Sequence, residues 1–242
     1  MENMEKISHH QKIIARNNHS VSLIAEGQYA VAIQELSTAM ATLKRTMKTE
    51  TEQGKTRTVT QRSSLDRCMI HSLSSFAPRT ETDEYTSDNE YLYHQSIFIP
   101  PEYDTTCCEA SFLSCVIVFN LALCHHLSAQ YCADNTQARS FLRSASHIYD
   151  LCIKLNQNSQ FQETSVLFSA TVANNLGLVA RRLGDVKATD KCFQYVLSIL
   201  MLLTDYSQYH GKMSPLPSQL EGFFVNVAQA GLLSQPIGAA AA

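Results

Sequence analysis

Cysteine and histidine are the residue types here best suited to chemistry. The chain has eight cysteines and nine histidines. Cys124-His125-His126, with Cys132 close behind, offers the thiol and imidazole donors of a zinc site or of a nucleophile–base pair. The spacing argues against both. Successive helical residues point about 100° apart, so three adjacent donors do not converge on one ion. Cys124 and Cys132, two turns apart, share a face at too great a distance for a metal. No two cysteines have C-x-x-C spacing. A catalytic thiolate needs a base held by a third group, and no local motif supplies one. Glycine-rich phosphate loops and the zinc-protease helix motif are missing too. The reading is therefore no catalytic residue, no metal, no cofactor and no enzyme, with an enzyme of unknown type as the third choice after a binding and a self-associating role. Most cysteines fall in apolar helical patterns, as small hydrophobes with reduced thiols.

Two modification signals are weak. Asn18-His19-Ser20 is formally a glycosylation sequon, but it lies inside a helical pattern. Thr56 to Ser64 is a basic, Ser/Thr-rich stretch and a candidate for phosphorylation, although such loops are usually just solvated.

Composition narrows the class. Of 242 residues, 45% are apolar and 17% charged, with a net charge of −3. That suits a chain with a real core. No basic cluster is dense enough to follow a phosphate backbone, so nucleic acid is a poor partner. Met1 to Arg16 is polar, and the apolar runs Val116–Leu123 and Val196–Leu203 are well short of the ~18 residues of a membrane span. The expectation is a soluble cytoplasmic or nuclear protein with no membrane partner.

The elements that would position side chains are helical. Ile13 to Ile24 has helical spacing and stops at Gly27; Tyr29, Ala32, Ile33, Leu36, Ala39, Met40 and Leu43 form the stripe of a second helix. Residues 44–106 read as a loop-rich insertion. Within it Cys68–Phe76 and Tyr91–Ile99 either pair as a short β-hairpin or run extended. Residues 107–157 and 160–205 read as two more helical hairpins, and 218–235 as a capping helix, together one domain.

A repeat links these hairpins. Asn18-His19-Ser20 stands nine residues before Gly27, and Asn175-Leu176-Gly177 nine before Gly184. Asn120-Leu121-Ala122 fits the same position in the middle pair. The second helices match through Ala32, Leu36 and Ala39, through Ala138, Leu142 and Ala145, and through Thr189, Phe193 and Val196. Small residues at the crossings let helices approach, and hairpins of this kind stack to bury their apolar faces.

These residues resemble the tetratricopeptide repeat (TPR) family, most closely through Gly27-Gln28-Tyr29 and Gly184-Asp185, over about half of the chain. The layout is also similar to that of algal TPR-like proteins. The resemblance implies an all-α superhelix of about three hairpins. It also implies a concave groove lined by the first helices. Asn18, Asn120 and Asn175 would then bond an extended peptide backbone, or else bond within the stack. Asn17, Val21, Phe119, Leu123, His126, Asn174, Leu178 and Arg181 complete the implied groove. The family's clamp for acidic C-terminal tails needs basic residues where this chain has Asn17, Thr171 and Asn175, which implies that the clamp is absent. The implied ligand is an apolar helix or strand of a protein partner, or this chain's own insertion or last helix. A homodimer built through apolar faces is the alternative role.

Overall fold

Glycine sets the turns that fold the helices back on one another. Gly27 (φ 76°) and Gly184 (φ 83°) occupy the left-handed region that an L side chain rarely adopts. Both turns close with the same pair of bonds. Gly27 N–H donates to the Ile24 carbonyl at 3.0 Å and Gln28 N–H to that of Leu23 at 2.8 Å. Gly184 and Asp185 do the same to Arg181 and Ala180, at 3.0 and 2.9 Å. This is the Schellman arrangement, which satisfies the carbonyls left open at a helix end.

The computed structural model describes residues 2–52, 68–69, 72, 90–100, 110–158, 166–210 and 217–231. The helices are α1 (Glu2–Ala25), α2 (Tyr29–Glu52), α3 (Ala110–Gln130), α4 (Asn135–Asn158), α5 (Val166–Leu183), α6 (Val186–His210) and α7 (Pro217–Gln229). The all-α class read from the sequence is the class observed. Apart from a single-residue bridge at Tyr91, the described residues contain no β-strand. Two compact units are formed: residues 1–77 with 94–169, and residues 78–93 with 170–242.

In the first unit α1 packs on α2, α2 and α1 on α3, and α3 on α4. Ile13, Val21, Ala32, Leu36, Ala39 and Leu43 are all but inaccessible. α1 begins at Glu2, well before Ile13, and α2 runs past Leu43 to Glu52. Threonine hydroxyls accompany that extension: Thr38, Thr42, Thr46 and Thr49 each bond the carbonyl four residues back. Bonding of this kind satisfies the hydroxyl within the helix at a slight cost to helix stability. The rest of the expected Thr49–Ser64 loop lies outside the described residues, as do Cys107 and Cys108. α3 is buried on nearly every side because helices cover it from several directions. Among the described helices it alone has the length and hydropathy of a membrane span, and 78% of that window is buried within the protein. Asp134 caps α4, accepting from Thr136 N–H at 2.8 Å.

Of the two stretches expected to pair as a β-hairpin or run extended, residues 70–71 and 73–76 lie outside the described residues. Cys68, Met69 and Ser72 are helical, and Ser72 Oγ donates to the Cys68 carbonyl at 2.7 Å as in a helical turn. Residues 90–100 are not helical, and helical side chains take the place of a strand neighbour beside them.

In the second unit, the part of α5 from Ala170 onward meets α6 where Gly177 leaves room. A Cβ there would stand 2.9 Å from the Phe193 ring. Asp185 caps α6 by accepting from Ala188 N–H at 3.0 Å. α6 continues to His210, beyond the Leu203 end read from the pattern, and packs on α7. Phe193, Val196, Leu200, Phe223 and Val227 form the apolar centre.

Candidate functional site

A primary amide has the donor and acceptor of a peptide group in the same plane. It can therefore replace a neighbouring strand by pairing with both N–H and C=O of one residue. Asn18 on α1 does this to Ile99: its Nδ2 donates to the Ile99 carbonyl at 2.7 Å, and Ile99 N–H donates to its Oδ1 at 3.0 Å. Asn120 on α3 does the same to Ile97, at 2.9 and 2.7 Å. Asn17 ties the two together. It accepts from Asn120 at 2.9 Å and donates to the Ile97 carbonyl at 3.1 Å and to Asn18 Oδ1 at 3.3 Å. The other edge is held at Phe98, whose N–H donates to Ser72 Oγ at 2.8 Å. The odd residues face the asparagines and the even one faces Ser72, the period-two alternation of an extended chain.

The second unit repeats the asparagine bonds of this arrangement one for one. Asn175 on α5 pairs with both backbone groups of Tyr93, at 2.9 and 3.1 Å. Asn226 on α7 pairs with both of Tyr91, at 2.7 and 2.9 Å. Asn174 again links them. It accepts from Asn226 at 2.7 Å and donates to the Tyr91 carbonyl at 3.1 Å and to Asn175 Oδ1 at 3.2 Å. Asn17, Asn120, Asn174, Asn175 and Asn226 are fully buried, so these bonds operate away from competing water.

Comparison with protein families, characterised proteins and solved structures found no match to this chain.

The other residues implied to line a groove fall in two places. Phe119 and His126 turn toward Tyr149 on α4, with ring centroids 6.2 Å apart in both cases, and Phe119 also meets Phe168 at 5.7 Å. Val21, Leu123 and Leu178 are buried core residues. Arg181 lies beside the extended segment: its guanidinium donates to Glu90 Oε1 at 2.8 Å and sits 5.0 Å over the Phe193 ring. Asn226 is the functional residue missed by the sequence reading. Its signal was present, since Phe224-Val225-Asn226-Val227-Ala228 parallels Val118-Phe119-Asn120-Leu121-Ala122.

The thiols and imidazoles occupy different surroundings. Burial pushes Cys115 up to about 12 and also raises Cys124 and Cys152, so these thiols stay protonated. Desolvation lowers His125, whose ring packs 6.0 Å from Phe141. Among the described residues no three His, Cys, Asp or Glu side chains are grouped to hold a metal.

Proposed function

We propose that this chain is a TPR-like helical repeat protein that acts in protein–protein interaction, by holding an extended polypeptide segment through buried asparagine amides. One observation carries this reading. Asn18, Asn120, Asn175 and Asn226 each bond both backbone groups of one residue, at Ile99, Ile97, Tyr93 and Tyr91. Each is followed two positions on by a small residue, Ser20, Ala122, Gly177 or Ala228. Helical side chains that present peptide-like amides are suited to strand recognition without a sheet. The occupants are residues 97–99 in the first unit and 91–93 in the second, so in each unit a partner's segment must displace a built-in ligand.

Amide hydrogen exchange tests this. The N–H groups of Ile97 and Tyr93 should open at a lower free energy than those of Phe119 on α3 and Leu178 on α5, because the segment leaves without unfolding the helices. Co-exchange of the segment with those helices would make it a fixed part of the core and end the proposal.

A second reading, self-association, draws on one surface. Tyr195 and Leu202, seven residues apart on α6, are 46% and 60% exposed. Light scattering checks it: a strict monomer at high concentration rules it out, and a dimer lost on Leu202→Glu supports it.

A further inference from the structure

We infer that the asparagine set of the second unit selects an extended segment with the order acidic, aromatic, apolar, aromatic, and that Glu90-Tyr91-Leu92-Tyr93 is the built-in copy of that ligand. The inference rests on the backbone-holding role proposed above and adds side-chain specificity to it. Backbone pairing by Asn174, Asn175 and Asn226 is blind to sequence, because every residue except proline presents the same two groups. Selectivity must come from what surrounds the side chains.

Three features supply it. Arg181 holds the Glu90 carboxylate at 2.8 Å, with the carboxylate side chain only 5% exposed. The Phe193 ring beneath the guanidinium and Gln229 Oε1 at 3.4 Å steady it there. An arginine fixed in this way reads a carboxylate by charge and geometry. Next, the Tyr91 ring lies directly against α7 at Gly222, where any Cβ would overlap it. Helical glycine costs stability, and here its missing side chain makes a flat seat for a ring. Third, Phe223 contacts both rings. It meets Tyr91 edge-on at 5.5 Å and 77°, and Tyr93 more nearly parallel at 6.5 Å and 29°. Both are favoured aromatic geometries. Leu92 between them is buried as well. The first unit differs, since its asparagines hold two aliphatic residues, Ile97 and Ile99. The partner is therefore a protein that offers an exposed, extended Glu/Asp–aromatic–apolar–aromatic stretch.

The test uses the full chain carrying Tyr91→Ala and Tyr93→Ala, which weakens the built-in copy, with helicity checked by circular dichroism. The probe is a fluorescent peptide, Asn-Glu-Tyr-Leu-Tyr-His, blocked at both ends. It should bind this variant about tenfold or more tightly than wild type, where the tethered copy competes at high effective concentration. Replacing its Glu by Gln, or both Tyr by Ile, should weaken binding about tenfold; equal binding overturns the sequence preference alone. N-methylation of the first Tyr nitrogen should abolish binding. Equal binding of that peptide instead overturns the backbone reading beneath it, and no binding of any peptide to the folded variant overturns both. If the double variant loses its helices, Glu90→Gln replaces it. That change should raise affinity for the Glu-bearing peptide several-fold, and an affinity unchanged from wild type, or none in either, overturns the inference.

Discussion

A side-chain amide that pairs with a backbone amide is vulnerable to the loss of either half. Asn120→Ala would leave the buried Ile97 N–H without its acceptor and Asn17 Oδ1 without its donor, while the Ile97 carbonyl would keep Asn17 alone of its two donors. Unsatisfied buried groups cost roughly 1–3 kcal/mol each, so a loss of about 2–5 kcal/mol in urea unfolding is expected. Asn120→Asp separates the two halves. A carboxylate still accepts from Ile97 N–H but faces the Ile97 carbonyl and Asn17 Oδ1 with no proton to give. The variant's carboxyl should therefore titrate above the ordinary range. Its deficit relative to wild type should shrink as pH falls and the group gains its proton, and a deficit that does not change with pH would argue against the pairing. Gly222→Ala sets a gain in helix propensity against a steric clash. Its Cβ overlaps the Tyr91 ring, so Tyr91 must leave its place and the Tyr91 N–H should lose protection from exchange while Ile97 keeps its own.

The helices divide cleanly into what a pattern reveals and what it hides. Leu36, Ala39 and Leu43 on α2, and Phe193 and Val196 on α6, were readable as core because burial recurs at the helical period. Asn18, Asn120 and Asn175 were readable because each stands at the same place on a first helix. Asn226 escaped because the nine-residue spacing to a turn glycine does not recur on α7: Gly231 (φ 73°) comes five residues later. The occupant was harder to read, since the atoms recognised at residues 91, 93, 97 and 99 are backbone atoms that every residue carries. Helix ends were misjudged where polar residues continued a helix, as the threonines of α2 do. Two substitutions test the turns. Gly27→Ala and Gly184→Ala each force a Cβ into the left-handed region, which should cost about 1–2 kcal/mol. Neither site has a neighbour within 4 Å for that Cβ to strike, so the loss should be of stability alone, with the helical circular dichroism spectrum retained.

At the scale of the whole chain, buried titratable groups bound the pH range of stability from both sides. Cys115, Cys124, Cys152 and Tyr93 are all raised by burial. Below the ordinary thiol range they are neutral folded or unfolded and contribute no pH dependence. Above about pH 9 the unfolded chain ionises its thiols while the folded chain does not, so stability falls as pH rises. His125 works in the opposite sense. Its folded form resists protonation, the unfolded form accepts a proton below about pH 6.5, and stability is lost as pH falls. Urea midpoints should plateau between about pH 7 and 8.5 and decline on either side; a flat response up to pH 10.5 would contradict the burial of the thiols. One further consequence lies at the end of the extended segment. Ile99 is followed by Pro100 and Pro101, neither of which has an N–H to give. Sliding the segment by one or two residues toward its N-terminus would bring a proline opposite Asn18, whose Oδ1 would then lose its backbone donor and keep only Asn17 at 3.3 Å. A slip of one would also turn every side chain to the opposite face. The two prolines act as a mechanical stop in that direction: asparagines that accept almost any backbone nevertheless resist this slip of the register.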